Sequence, residues 1–108
     1  MVRKSAYALG VEGERAAGIT GPKRPIPSVN GTADFRVPDF VDHDAKILVE
    51  SKNVARLSYT RQLRDYVAYA KKYGYTFYLW VRPNDGTRLS GPLNAAKERG
   101  DFVLREFP

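Results

Sequence analysis

The chain has 108 residues and a mass of 12.2 kDa, and 43% of its residues are hydrophobic while 28% are charged. This length and composition predict one globular domain with a modest core, and they exclude a disordered chain or a multidomain assembly. A formal charge of +6 favours a polyanionic partner, either nucleic acid or an acidic protein. The lack of cysteine excludes thiol catalysis and thiolate zinc sites, so any metal ion would be bound by oxygen atoms.

The N-terminal half predicts a helix and then a β-hairpin. Residues 4–19 have helical spacing, and Glu14 lies on a face made mostly of small residues. Residues 21–27 contain three prolines and predict an extended connector. Residues 35–41 and 46–51 predict two antiparallel strands, joined by a polar turn at 42–44. The second strand is apolar on both faces, which is typical of a strand in the middle of a sheet.

The C-terminal half alternates helices and strands. Residues 60–73 carry an apolar helical stripe between a capping hydroxyl and a stop at Gly74. A strand at 75–82, a turn at 83–86, a helix at 93–99 and a strand at 102–107 follow. The sequence therefore predicts an α/β fold of order α-β-β-α-β-α-β, with helices on a small mixed sheet and a right-handed crossover after the second strand.

Three charged residues of the hairpin predict a metal site. Glu50 and Lys52 are two residues apart on one strand and project from the same face, and the hairpin pairing places Asp39 beside them. Two adjacent carboxylates repel each other unless a cation lies between them, and Mg²⁺ accepts such oxygen ligands. The backbone carbonyl of Ser51 offers a further oxygen. A cation there would stabilise charge on a phosphodiester, with Lys52 beside the attacking water.

The structural alternative for these residues is a turn and a surface ion pair. Pro-Asp dipeptides are common in turns, and an exposed Glu-x-Lys pair on a strand contributes less than about 1 kcal/mol. However, charges at the end of an apolar strand and opposite another carboxylate are a poor choice for stability. This placement favours the metal site.

Taken together, Pro38-Asp39 and Glu50-Ser51-Lys52 resemble the signature of the PD-(D/E)XK, or restriction-endonuclease-like, nuclease superfamily. The resemblance implies that Glu14 supports the metal centre, as acidic residues of the first helix do in many members. The segment Gln62-Leu63-Arg64-Asp65-Tyr66 is similar to the Gln-x-x-x-Tyr motif of the RecB-like branch, which implies that Gln62 and Tyr66 contact substrate. Ser51 departs from the family pattern, because many relatives carry an apolar residue there.

Longer segments resemble one group within the superfamily, the restriction-endonuclease-fold toxin domains at the C-terminal tips of bacterial polymorphic toxins. The matching segments are 36–39, 49–54, 57–65 and 89–93. This resemblance implies a single toxin domain over residues 1–108, carried by a larger secreted or delivered effector. It further implies action in the cytoplasm of a competing bacterium and neutralisation by a cognate, acidic immunity protein. No membrane partner is expected, because no apolar run is long enough to span a bilayer.

The resulting prediction is a Mg²⁺- or Mn²⁺-dependent nuclease with DNA slightly preferred over RNA. The ligands are expected to be Glu14, Asp39, Glu50 and the Ser51 carbonyl, while Arg56 and Arg61 are expected to hold phosphates near the site. A solvated basic face is the alternative role for these two arginines. Three alternatives exist for the whole chain: a housekeeping repair or junction nuclease, a catalytically silent nucleic-acid-binding module, and a structural interaction domain.

Overall fold

A computed structural model describes residues 23–108 of the protein. The strands in chain order are β1 (Ile26–Pro27), β2 (Phe35–Arg36), β3 (Phe40–Asp42), β4 (Ile47–Lys52), β5 (Arg56–Leu57), β6 (Thr76–Val81), β7 (Arg88–Leu89) and β8 (Val103–Glu106). The helices are α1 (Arg61–Tyr73) and α2 (Gly91–Glu98). The predicted helix at 4–19, including Glu14, lies outside the described residues.

The main sheet contains strands in the order β3-β4-β6-β8, with two short strand pairs, β1 with β2 and β5 with β7, beside it. The β3–β4 pair is antiparallel, and β6 pairs in parallel with both β4 and β8. The interior position of β4 agrees with its sequence, because neighbouring Leu48 and Val49 point to opposite faces and are both fully buried. This arrangement confirms the predicted α/β class and the small mixed sheet.

Helix α1 makes the crossover between the parallel strands β4 and β6. Its first turn is capped by Thr60, whose hydroxyl oxygen accepts a hydrogen bond from the Leu63 amide. The helix ends at Gly74, where φ is +75°, a conformation that glycine adopts without a steric penalty. Its apolar stripe packs into the main core with Leu48, Phe77 and Leu79 of the sheet. The predicted boundaries of this helix are confirmed.

The predicted continuous strand over 35–41 is wrong, because the chain leaves the extended ladder between Arg36 and Phe40. Pro38 lies in this gap; it is buried and has no N–H to donate to a neighbouring strand. The connector prediction for 21–27 is also wrong at its end, since Ile26–Pro27 pairs antiparallel with β2. Within residues 23–108, no helix combines the length and the apolar character needed to cross a membrane.

Candidate active site

Asp39 and Glu50 face each other across the β3–β4 pair. Phe40 is the register partner of Val49, so the next pair along the ladder brings Asp39 opposite Glu50. Crossed hydrogen bonds join the two chain segments here: the Asp39 amide donates to Glu50 Oε1 at 3.2 Å, and the amide of Ser51, next to Glu50, donates to Asp39 Oδ2 at 2.7 Å. The backbone of each strand therefore holds the carboxylate of the other. The structure brings together the two carboxylates that the sequence placed side by side.

Lys52 lies next to Glu50 on the same face of β4. Its ammonium Nζ is 3.2 Å from Glu50 Oε2 and donates a hydrogen bond of 2.7 Å to Gln62 Oε1. Gln62 is in the first turn of α1, whose position is fixed by the Thr60 cap. The crossover helix thus supplies the group that holds the lysine, although the two residues come from different elements. Four of the predicted site residues are joined by a continuous chain of hydrogen bonds and one ion pair.

The surroundings of Glu50 disfavour the ionised form of its carboxyl group. Its side chain is only 6% exposed, and burial together with the neighbouring charge of Asp39 raises its pKa to about 7, although Lys52 opposes the shift. Lys52 is paired with Glu50, and the exposed Lys23 ammonium lies 3.0 Å from Asp39 Oδ1. The two adjacent carboxylates offer only oxygen atoms as ligands, which a hard cation prefers. The donor chemistry therefore fits a divalent ion such as Mg²⁺ or Mn²⁺.

The carboxylate pair alone is short of a full ligand set. Within residues 23–108, no group of three or more acidic, histidine or cysteine residues is placed to hold a metal ion. The predicted third acidic residue, Glu14, lies outside the described part of the chain. Ser51 is in β4 with its amide bonded to Asp39, and the role of its carbonyl stays a prediction. Its hydroxyl is buried and has no hydrogen-bond partner.

Tyr66 lies in the core beneath the site. The side chain is fully buried and its ring packs edge-on against Phe77, with 5.6 Å between the ring centroids. Among residues 23–108 its hydroxyl has no hydrogen-bond partner of good geometry, and burial, followed by the charges of Glu50 and Asp39, raises the pKa of this phenol. The negative charges of Glu50 and Asp39 therefore act on the Tyr66 hydroxyl. The proposed contact between Tyr66 and substrate stays a prediction.

The two arginines that are predicted to contact phosphate precede α1 or begin it. Arg61 is the first residue of the helix and Arg56 is in β5, and both side chains are exposed. The structure does not join either of them to the carboxylates by a contact.

Two residues near the site were not singled out from the sequence. Lys23 places its ammonium 3.0 Å from Asp39 Oδ1, from 16 positions away in the chain. Asp65, on α1, accepts hydrogen bonds from the segment that leads to Asp39, including one of 2.8 Å from Arg36 Nε. The local sequence holds only weak signals for these contacts: a basic pair at 23–24 and an acidic residue on the otherwise apolar stripe of α1.

A comparison with protein-family models matches residues 10–93 to a family described as restriction endonuclease fold toxin 7. The matched range includes Glu14 and every described residue of the site. No curated protein and no solved structure matches the chain.

Proposed function

The chain belongs to the restriction endonuclease fold toxin 7 family, and from this premise we propose that it is a metal-dependent endonuclease acting on competing bacteria. Membership of the family implies a nuclease toxin, a nucleic acid substrate and delivery into target cells. The observation that carries the finer proposal is the crossed pair of Asp39 and Glu50 with Lys52 beside it. We expect this group to be where the phosphodiester bond is broken.

The metal ligands in this proposal are Asp39, Glu50, the Ser51 carbonyl and Glu14. Support comes from the buried Glu50 carboxyl, whose pKa is raised by burial and by Asp39, and from the all-oxygen donor set. When bound, Mg²⁺ or Mn²⁺ stabilises negative charge on the phosphate and lowers the pKa of a water molecule. Asp39 and Glu50 would hold that ion in a defined place, because each carboxylate accepts a hydrogen bond from the backbone of the opposite segment.

Lys52 is the residue proposed to orient the attacking water and to stabilise charge on the phosphate oxygens. In the hydrolysis, the water oxygen forms a bond to phosphorus and loses a proton, while the bond to the leaving ester oxygen breaks and that oxygen gains a proton. Gln62 holds the ammonium of Lys52 in place through the 2.7 Å hydrogen bond to its Nζ. Tyr66, Arg56 and Arg61 are proposed to contact the substrate around this centre.

The net charge of +6 supports a nucleic acid substrate and an acidic protein partner, since both are polyanions. DNA and RNA present the same phosphate charge, and of the two we propose DNA as the preferred polymer. The same charge gives an acidic immunity protein an electrostatic means of rapid binding in the producing cell. We propose that a larger effector carries the domain into the target-cell cytoplasm.

The test is cleavage of plasmid DNA and of total tRNA by the purified chain in Mg²⁺, in Mn²⁺ or in EDTA. We expect the wild type to cut plasmid DNA with either ion and not in EDTA, and Asp39→Ala to lose the activity. Asp44→Ala is the matched control, because Asp44 is an exposed carboxylate in the turn that follows β3.

Three results would contradict the proposal. A folded wild type that cuts neither polymer with any ion would remove the nuclease assignment and favour a binding module. Cutting by Asp39→Ala at the wild-type rate would place the chemistry elsewhere. Cutting of tRNA without cutting of plasmid DNA would overturn the substrate preference and leave the site intact.

A further inference from the structure

An open groove lies along the short β5–β7 pair, whose strands follow β4 and β6 in the chain, and it shares no lining residue with the carboxylate site. It has a volume of about 320 Å³ and is lined by Arg56, Leu57, Ser58, Arg88, Leu89 and Ser90. We propose that this groove binds a backbone phosphate of the nucleic acid strand, away from the bond that is cut. The inference rests on the proposed function and adds Arg88 and the two serines to the substrate-binding residues.

Two arginines of the groove lie opposite each other on neighbouring strands. Arg56 and Arg88 are register partners in the parallel β5–β7 pair, so their side chains leave the same face of that small sheet. Like charges directly opposite each other on neighbouring strands are destabilising. An anion bound between the two guanidinium groups would remove that repulsion. The pairing therefore has an electrostatic cost that a phosphate would offset.

Both arginines of the groove are exposed and have no partner in the described part of the chain. Within residues 23–108, neither Arg56 nor Arg88 has a side-chain hydrogen bond or an ion pair, and both are exposed. Other arginines of the domain are bonded to protein oxygens: Arg36 to Asp65, Arg64 to the Tyr59 carbonyl, Arg82 to Asn53 and Arg99 to Asp101. The donors of Arg56 and Arg88 are left available to a ligand. A guanidinium group binds phosphate through two parallel N–H donors, which suits this role.

The groove is held in shape by its own backbone. The Arg88 amide donates to the Ala55 carbonyl at 2.8 Å, and the Ser90 amide donates to the Leu57 carbonyl at 2.9 Å. The Thr87 hydroxyl donates to the Val54 carbonyl at 2.7 Å, which fixes the neighbouring loop. A preformed site loses little conformational entropy when a ligand binds. Leu57 is buried and forms part of the apolar lining.

The serines supply further hydrogen-bond donors at the groove. Ser90 Oγ accepts a hydrogen bond of 3.3 Å from the Leu93 amide, so its own hydroxyl proton remains available. Ser58, which directly follows β5, also lines the groove and is exposed. Two guanidinium groups and two hydroxyls provide donors of the kind that phosphate oxygens accept.

The chain path keeps the groove near the catalytic group. The loop that contains Arg56 leaves β4 at Lys52 and returns at Gln62, and these two ends are joined by the Lys52–Gln62 hydrogen bond. Arg56 is four residues from Lys52, so at most about 14 Å of extended chain separates their backbones. That span corresponds to about four nucleotides of rise along one DNA strand. One strand can therefore reach both sites.

The experiment compares the double variant R56Q/R88Q with R105Q/K72Q, which removes the same charge at exposed positions on β8 and at the far end of α1. The measurements are kcat and KM on a labelled duplex DNA of about 30 base pairs, at several salt concentrations. We expect R56Q/R88Q to raise KM about tenfold or more with kcat within about twofold. The slope of log affinity against log salt should fall by about 2 relative to the control.

The conservative variant R56K/R88K separates the effect of lost charge from the effect of the lost paired donors. It should keep most of the salt slope and show an intermediate KM, because lysine keeps the charge but not the paired donors. An equal KM and an equal salt slope in R56Q/R88Q and its control would overturn the phosphate site; the arginine pair would then fit an acidic protein surface instead.

Failure of this inference is distinguishable from failure of the proposed function. If the wild type cuts nothing, fluorescence anisotropy of the same labelled duplex still compares the four proteins. Tenfold weaker binding by R56Q/R88Q than by its control would support the groove even in a domain without nuclease activity. Equal binding by these two variants would overturn it.

Discussion

Two buried carboxylates of this domain, Glu50 and Asp65, are treated by the fold in opposite ways. Burial acts to raise the pKa of both groups. For Glu50 the neighbouring charge of Asp39 acts in the same direction, and the resulting pKa is about 7. For Asp65 the hydrogen bonds it accepts outweigh burial and lower the pKa to about 2. These donors are Ser28 Oγ at 2.6 Å, the Asn30 amide at 2.9 Å, Thr32 Oγ1 at 2.9 Å and Arg36 Nε at 2.8 Å.

The difference distinguishes an acid that supports the fold from an acid that is available to a ligand. Asp65 is fully buried and accepts four hydrogen bonds, three at Oδ2 and one at Oδ1, which tie the β1–β2 segment to α1. Glu50 accepts from one amide and one ammonium and faces a second carboxylate. A buried carboxylate that protein donors do not saturate gains most from an added cation. The predictions below test this division between the two acids.

The largest expected effect is on activity, from Glu50→Gln. We expect the rate of cleavage to fall by about 10²- to 10⁴-fold, because a bound metal ion contributes several kcal/mol to the transition state. The free energy of unfolding should stay within about 1 kcal/mol, since the amide retains an acceptor for the Asp39 amide. The measurements are single-turnover cleavage and urea denaturation, with the exposed Glu98→Gln as the control. A variant that unfolds and loses activity in proportion would make Glu50 a structural acid.

The reverse pattern is expected for Asp65→Asn. Replacing one acceptor oxygen by a donor leaves buried hydrogen-bond donors unpaired and removes the counter-charge of Arg36. The free energy of unfolding should fall by about 3 kcal/mol. Cleavage per folded molecule should stay within about tenfold, because Asp65 touches none of the proposed ligands. Urea denaturation with Asp44→Asn as the control measures the loss, and a loss below about 1 kcal/mol would show that the four donors find other partners.

The sequence predicted which side chains of the candidate site come together better than it predicted the contacts that hold them in place. Asp39, Glu50 and Lys52 follow from local rules, since strand alternation and a hairpin register place them on one face. The motif resemblance placed Gln62 at the site as a substrate contact, but its hydrogen bond to Lys52 was not predicted, because spacing alone does not orient a helix against a strand. The sequence predicted both ends of α1, at Thr60 and Gly74, because caps are local signals.

The surroundings depend on contacts between distant residues. Asp65 accepts hydrogen bonds from residues 29 to 37 positions earlier in the chain, so no local pattern predicts this hydrogen-bond network. Strands β5 and β7 have two residues each and show no periodicity from which to predict them. The gap between β2 and β3 depends on the burial of Pro38, which an alternating pattern does not encode. These are tertiary effects that override local preference.

A smaller effect is expected in the pH dependence of the stability that Asp65 contributes. Asp65 has a folded pKa of about 2 against an ordinary value of 3.8, so the unfolded chain takes up its proton first as the pH falls. Its contribution to stability is therefore complete above about pH 4 and is lost between about pH 4 and pH 2, amounting to about 2 kcal/mol. The pKa of Asp101 is also lowered, first by its hydrogen bond from Lys71, so the wild type has more than one such group.

The contribution of Asp65 is isolated by comparing wild type and Asp65→Asn. Urea denaturation at several pH values should show the stability difference between them shrinking as the pH falls from about 4 to about 2. A difference that stays constant over this range would mean that Asp65 has an ordinary pKa in the folded state. In that case the contrast with Glu50 would rest on geometry and not on charge.

The smallest expected effect comes from Gln62→Met, which removes the acceptor for Lys52 while keeping the length of the side chain and its helix propensity. Lys52 keeps its ion pair with Glu50, so its ammonium stays near the site but is less precisely placed. We expect kcat to fall about tenfold with KM within about twofold, because the hydrogen bond positions a group and binds no distant part of the substrate. Asn94→Met, an exposed change on α2, is the control, and thermal melting of both variants should match the wild type. An unchanged kcat would show that Glu50 alone positions the lysine, whereas a raised KM at constant kcat would make Gln62 a substrate contact and not a support for Lys52.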